Sequence, residues 1–254
     1  MLRHHWTALL TAMLLTPTVQ AETINVAVAA NFTNTMKALA EPFEASTGHE
    51  LALSFGSSGK FYAQINNGAP FDVFLSADQQ KPEALEREGR IVPGSRFTYA
   101  LGALVLWSSR PELVDERGIV LGRGHFRKLA LANPRLAPYG VAATEVLSNL
   151  ELLEATRPKW VQGENIGQTY QFVRSGNAEL GFVALSQIMS DGHIDGGSFW
   201  RIPLDLYNPI RQDAVILKRA ENNAGAKALM AFLRTESAVR IMESYGYRVA
   251  AEAP

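Results

Sequence analysis

The chain has 254 residues, 47% of them hydrophobic and 19% charged, with a formal net charge of −1 and no cysteine. This composition supports a packed core in one large or two smaller domains and argues against global disorder. The near-zero charge, without any basic run, argues against a nucleic-acid or acidic-membrane partner, and the missing cysteines exclude disulfides, thiolate metal sites and Cys nucleophiles.

The N-terminus reads as a secretory signal peptide spanning residues 1–21. "MLRHHWTALLTAMLLTPTVQAET" carries Arg3 and two histidines, then an apolar run from Trp6 to Leu15, then the small-x-small site Val19-Gln20-Ala21. The run is shorter than the ~20 residues that a membrane span needs. No later stretch is long and apolar enough to insert, so the mature chain is expected to be exported and soluble.

Strand followed by helix then recurs. Residues 24–29 read as a strand and 33–46 as a helix; 50–55 and 60–67 repeat the pattern, as do 72–75 and 77–88. Gly48, Gly68-Ala69-Pro70 and Gly89 supply the stops and turns. The stretch "FTYALGALVLWSS", residues 97–109, reads as one strand leaving the first unit. A second α/β unit follows: strand 129–132, helix 141–153, strand 160–162, helix 167–174 and strand 180–185. Residues 207–220 read as a return strand, and 224–245 as a closing amphipathic helical region. Repeated β-α-β order predicts largely parallel sheets flanked by helices. Two such units joined by two extended crossings, near 100–106 and 205–215, predict a cleft between them.

Ligands in open α/β sheets bind beyond the carboxyl ends of the strands, where helices begin. Four such corners stand out: Ala30-Asn31-Phe32-Thr33, Gly56-Ser57-Ser58-Gly59, Pro138-Tyr139-Gly140 and Asn165-Ile166-Gly167. None is rich in charge. A helix start carries unsatisfied N–H groups and partial positive charge, so several starts meeting in one cleft can hold a fully ionised oxyanion by N–H and hydroxyl donors alone. Taken singly, Ser, Thr and Asn at a helix start serve as caps. "GSSG" also lacks the Lys-Ser/Thr ending of a nucleotide P-loop.

Over essentially the whole mature length the sequence resembles the periplasmic molybdate-binding proteins of ABC transporters. The stretches that carry the resemblance are "AVAANFTNTM", "SFGSSGKFYAQINNGAPFDVFLSADQ", "GSRFTYALGALVLWS", "APYGVAATEVL", "ENIGQTY" and "ELGFVALSQI", with "NGAPFDVFLSAD" the most specific. The resemblance implies a two-lobe, type II-like periplasmic binding protein fold with a two-strand hinge. It implies lobe 1 in residues 22–103 and 210–254 and lobe 2 in 104–209. It also implies a tetrahedral oxyanion held between the lobes by hydroxyls and helix-start amides. Position by position it points to Asn31, Ser58, Tyr139 and, through its backbone N–H, Ile166. Many relatives have Ser where Asn31 stands, and an amide NH2 still donates. Some relatives place a binding Tyr where this sequence has Ala184; similarity to the branch carrying "APYG" implies that the Tyr139 hydroxyl substitutes.

Other chemistry-bearing residues have plainer readings. His49, His125 and His193 fall on predicted turns without ligand spacing and read as surface residues. Asp72 and Asp78 bracket "VFLSA" as turn and capping residues, Lys60 as a solvated lysine at the cleft mouth, and Phe61, Tyr62, Phe71 and Phe74 as core. The expected function is a monomeric periplasmic protein that captures molybdate, and tungstate, and delivers it to an ABC permease. No cofactor is expected, and molybdenum enters only within the oxyanion. A receptor for another tetrahedral oxyanion such as sulfate is the alternative, followed by a periplasmic enzyme on the same fold. No corner offers an acid, a base or a nucleophile with a partner His, which argues against the enzyme.

Overall fold

The computed structural model describes residues 21–249. All of the signal-peptide reading except Ala21 lies outside the described residues. Strands β1 (Thr23–Ala29), β2 (Glu50–Gly56) and β3 (Val73–Leu75) alternate with helices α1 (Thr33–Thr47), α2 (Ser58–Asn66) and α3 (Gln80–Arg87). Strands β4 (Phe97–Gly102) and β5 (Leu104–Ser108) follow, then α4 (Ile119–Arg123), β6 (Leu129–Ala132), α5 (Pro138–Asn149), α6 (Leu153–Thr156), β7 (Trp160–Gly163), α7 (Ile166–Arg174) and β8 (Leu180–Ala184). A short hairpin, β9 (Met189–Ser190) and β10 (His193–Ile194), precedes β11 (Ser198–Arg201), β12 (Ile210–Ile216), α8 (Ala224–Phe232) and α9 (Glu236–Ser244).

The strands form two five-stranded sheets, ordered β2-β1-β3-β12-β4 and β7-β6-β8-β5-β11. In each sheet only the fourth strand of that order, β12 or β5, runs against the others. Those two are the strands by which the chain enters each lobe from the other. The parallel strands are apolar on both faces, as helix-covered sheets require: Ile24, Val26, Ala27 and Val28 of β1 are fully buried, as are all four residues of β6.

The segment read as one strand over 97–109 breaks at Ala103, and its two halves serve different sheets. The break is held by the Leu104 N–H donating to the Tyr207 hydroxyl at 3.2 Å and by the Ala103 carbonyl accepting from Leu185 at 2.9 Å. Helix α3 starts three residues later than expected. Ser76 and Asp78 bond each other there, and Asp78 caps the Lys81 N–H at 3.2 Å. The helix expected over 141–153 begins earlier, at Pro138, and stops where Glu151 takes a left-handed conformation at φ 60°. The sequence pattern missed α4, the short hairpin and β11.

His49 corrects the surface reading. It is 4% exposed, and its Nδ1 accepts the Glu22 N–H at 3.1 Å, so it closes the start of the first sheet. Asp72 is structural: buried, it accepts from Asn25 N–H at 2.8 Å and pairs with Arg219 at 2.8 Å. Phe61 and Phe74 are core residues, whereas Tyr62 and Phe71 are only partly covered.

Candidate functional site

Four helix starts meet between the lobes. A single 3₁₀ turn, Ala30–Phe32, leads from β1 into α1; α2 follows β2, α5 follows β6 and α7 follows β7. Asn31, Ser58, Tyr139 and Ile166, one from each start, line the same small cavity. No charged side chain lines it. A wider cleft opens beside it, and there Lys81, Arg135 and Arg211 stand with Asp78 and Glu145.

The first N–H groups of a helix have no intrahelical acceptor, so each must be traced. In α2, Gly59 N–H donates across the cleft to the Leu136 carbonyl at 2.9 Å, and Lys60 N–H to the Ser57 capping hydroxyl at 3.4 Å. Ser58 N–H is left. In α5, Pro138 has no N–H and Gly140 donates to Ala137 O at 2.9 Å, which leaves Tyr139. In α7, Gln168 N–H goes to the Asn165 side chain at 3.0 Å and Thr169 N–H to Asn165 O at 3.1 Å, leaving Ile166 and Gly167. In the 3₁₀ turn, Ala30 and Asn31 precede the first bonded N–H. Ser58 Oγ accepts the Ala77 N–H at 2.9 Å, so its own hydrogen remains to donate. The cavity is thus lined by donors that no protein acceptor reaches among the described residues.

The lobes touch at the cavity rim. A Cβ on Gly59 would sit 3.0 Å from Leu136 O and 3.1 Å from its Cα, so glycine permits the close approach there. Lys60, read as solvated, pairs with Glu164 of the other lobe at 3.0 Å, both ends half exposed.

Behind the cavity lies a buried polar cluster. The Asn31 amide nitrogen donates to Gln212 Oε1 at 2.8 Å and to the Tyr247 hydroxyl at 2.9 Å. Gln212 Oε1 also accepts from Tyr99 at 3.0 Å, and its Nε2 donates to the Tyr139 hydroxyl at 3.3 Å. Ser186 of lobe 2 donates to Asn31 O at 2.8 Å, and Tyr247 lies 2.9 Å from both Asn31 O and Ser186 Oγ. Burial holds the phenols of Tyr99 and Tyr139 well above their ordinary range and raises that of Tyr247, so all three stay neutral. A Cβ at Gly102 would fall on the Tyr139 hydroxyl, which makes this crossing-strand glycine part of the cluster's geometry.

The family model of bacterial extracellular solute-binding proteins matches residues 24–248 of this chain. The chain belongs to that family. A relative named molybdate-binding protein ModA, from Azotobacter vinelandii, is 56% identical over 236 residues, covering 93% of this chain and 94% of its own. The ModA of Rhodobacter capsulatus is 48% identical over 246 residues, covering 97% and 96%. The solved periplasmic molybdate-binding protein of Azotobacter vinelandii superposes with a TM-score of 0.87 at 45% identity, over 89% of this chain and 99% of that one.

All four residues expected from sequence therefore line one cavity of this solute-binding protein, but two side chains face other work. The Asn31 amide hydrogens are both committed to Gln212 and Tyr247, and the Tyr139 hydroxyl is engaged with Gln212. Each residue leaves its backbone N–H toward the cavity instead. Ala184 ends β8 with its N–H bonded to Gln187 Oε1 at 2.9 Å and does not line the cavity. Gln212, Tyr99, Ser186 and Tyr247 escaped the sequence reading. One signal was present: "IRQDAVI" sets Gln212 and Asp213 inside a buried strand, and buried polar groups require partners.

Proposed function

We propose that this solute-binding protein captures molybdate, and tungstate of the same charge and shape, between its lobes in the periplasm and presents it to an ABC permease. The observation that carries the reading is the uncharged cavity lined by open donors: the Ser58 hydroxyl and the N–H groups of Asn31, Ser58, Tyr139 and Ile166. A fully ionised oxyanion offers acceptors in every direction and no hydrogen to give, so a donor-only, carboxylate-free lining complements it. The names of the 56% and 48% identical relatives supply the choice of oxyanion.

The division into lobe 1, residues 22–103 and 210–254, and lobe 2, residues 104–209, is supported by the strand composition of the two sheets. The hinge runs through Ala103 and the segment before β12. Binding closes the lobes, because donors come from both. The reading is of capture without turnover: among the described residues no histidine hydrogen-bonds Ser58, whose Oγ accepts from Ala77 N–H. The mature protein acts as a monomer, and no helix among the described residues is long and apolar enough to cross a membrane.

Calorimetric titration with molybdate, tungstate, sulfate and phosphate, paired with small-angle scattering, tests this. Heat and a smaller radius of gyration are expected with molybdate and tungstate. A response to sulfate alone would reassign the ligand, and no response to any of the four would sink the reading.

A further inference from the structure

The cavity lining carries no charge, so the formal charges nearest to a guest stand in the spaces around it. At the rim, Lys60 and Glu164 pair at 3.0 Å and cancel. On one flank, a recess shares Ala30 and Asn31 with the cavity, and there Arg174 stands with Asp195, one charge of each sign. On the other flank, the wider cleft shares Ala77, Ala137 and Pro138 with the cavity, and there three basic side chains face two acidic ones. Lys81 is paired with Asp78, and Glu145 accepts from Asn208. The guanidiniums of Arg135 and Arg211 have no partner among the described residues. We propose that Arg135 and Arg211 form an electrostatic antechamber, which gathers the oxyanion beside the uncharged cavity without holding it. This rests on the molybdate reading above and adds to it the residues that act on the guest at a distance.

Both arginines are carried by segments that reach the cavity. Arg135 lies in the turn after β6, two residues before Ala137, and so within about 8 Å of it along the backbone. Arg211 stands in β12 directly before Gln212, whose Nε2 donates to the Tyr139 hydroxyl at 3.3 Å. Both are exposed, and a guanidinium keeps its charge at every pH at which a protein folds. A field of this kind depends on charge and distance, and not on where each guanidinium points. Removing the two charges turns the balance of the cleft from one positive to one negative.

The size of the effect follows from Coulomb attraction in water. A unit charge ~10 Å from a dianion raises the local anion concentration about threefold at low salt, and two raise it about five- to tenfold. Screening removes this: the Debye length is about 30 Å at 0.01 M salt and about 3 Å at 1 M. The two regions then divide the work. The neutral donors of the cavity select a guest by the geometry of its acceptors, and the arginines raise the local concentration of any small anion that comes near.

Calorimetric titration of the mature protein with sodium molybdate, at ~10 mM and at ~500 mM potassium chloride, tests this. Arg135→Gln combined with Arg211→Gln should raise Kd about five- to tenfold at the low salt and less than about twofold at the high. Arg135→Gln alone, on an exposed turn, should show about threefold at the low salt. Arg135→Lys with Arg211→Lys keeps both charges and should bind as the wild type does. Arg117→Gln with Arg123→Gln removes the same charge from exposed positions that line neither the cavity nor the cleft, and should be silent as well. Each variant is compared with the wild type at both salts, so a uniform loss of folded protein does not mimic the result. Unchanged affinity of the Gln pair at low salt would overturn the inference and leave the molybdate reading intact. A loss equal at both salts, or shared by the Lys pair, would overturn it too, because either marks a direct contact or a structural brace. A loss shared by the Arg117 and Arg123 pair would reduce it to net charge. Wild-type protein that gives no heat at either salt would overturn both readings.

Discussion

The cavity and the polar cluster behind it adjoin, share Asn31 and Tyr139, and use the same kinds of residue, yet they treat hydrogen bonds in opposite ways. In the cluster, Asn31, Tyr99, Ser186, Gln212 and Tyr247 bond one another across the lobes. In the cavity, the starts of α2, α5 and α7 and the 3₁₀ turn leave N–H groups open after each neighbouring one has found an acceptor. A buried donor left open costs about 1–3 kcal/mol. Several at one point are tolerable only where a guest supplies the acceptor. Polarity alone therefore does not distinguish the two regions; the open donors do.

The largest effect should come from placing charge where the two regions meet. Asn31→Asp substitutes an acceptor for a donor at the rim of a site read as holding a dianion. Two unit charges at ~4 Å and an effective dielectric of ~20 repel by ~4 kcal/mol, about a thousandfold in Kd. Titration of Asn31→Asp at neutral pH should show at least that loss, far beyond Asn31→Ala. Affinity should partly recover as pH falls, because burial and a nearby anion both raise the carboxyl pKa. Equal affinities for folded Asp and Ala variants would place Asn31 outside the reach of the guest.

Ser58→Ala comes next and acts on the cavity alone. The Ser58 hydroxyl has an open hydrogen only because its oxygen is held by the Ala77 N–H. Losing a hydrogen bond to a charged partner costs about 1.5–3 kcal/mol, which is roughly tenfold to hundredfold in Kd. The variant also leaves Ala77 N–H without its acceptor, so thermal unfolding should show a loss of about 1–3 kcal/mol without ligand. A loss of stability with unchanged affinity would make Ser58 a strand-to-helix brace and nothing more.

How far the sequence carried this picture depends on range. The β-α-β order, the break-up into two units and the four corners were readable, because each is set by local periodicity and by helix-start residues a few positions apart. The placement of Ser58 and Ile166 at helix starts beside the cavity was readable for the same reason. The cluster was not, because its members are 181 and 216 residues apart in the Asn31–Gln212 and Asn31–Tyr247 bonds, and no local pattern announces such a pair. The protein partners of the Asn31 amide and of the Tyr139 hydroxyl were not legible for that reason: Gln212 and Tyr247 lie far along the chain. His49 was misread because a turn position does not reveal that Glu22 covers it.

A smaller effect separates the rim from the helix beneath it. Inside an ordinary helix Ala outranks Gly by about 1 kcal/mol, so Gly59→Ala should leave the melting temperature of the ligand-free protein unchanged or higher. In the structure the added Cβ meets the Leu136 backbone at 3.0–3.1 Å, and a backbone cannot swing aside as a long side chain can. Affinity should fall several-fold while stability does not. If Gly59→Ala binds molybdate as tightly as wild type, the Gly59–Leu136 contact does not belong to the bound form.

The smallest expected effect is a null response to pH, and it bears on both regions at once. The cavity lining has no charged side chain, so no lining group titrates near neutrality. Behind it, burial raises the pKa of Tyr99, Tyr139 and Tyr247 above the ordinary phenol value of ~10. Below pH ~10 the phenols are protonated in folded and unfolded chains alike and contribute no pH dependence. Above it the unfolded chain releases protons that the folded chain keeps, so stability falls only as pH rises past ~10. Kd for molybdate should therefore stay constant within about twofold from pH 6 to 9, a range in which a His-based anion site changes its charge. A tenfold drift across that range, with the protein still folded by circular dichroism, would show that an ionisable group reaches the guest and that the donors are not neutral.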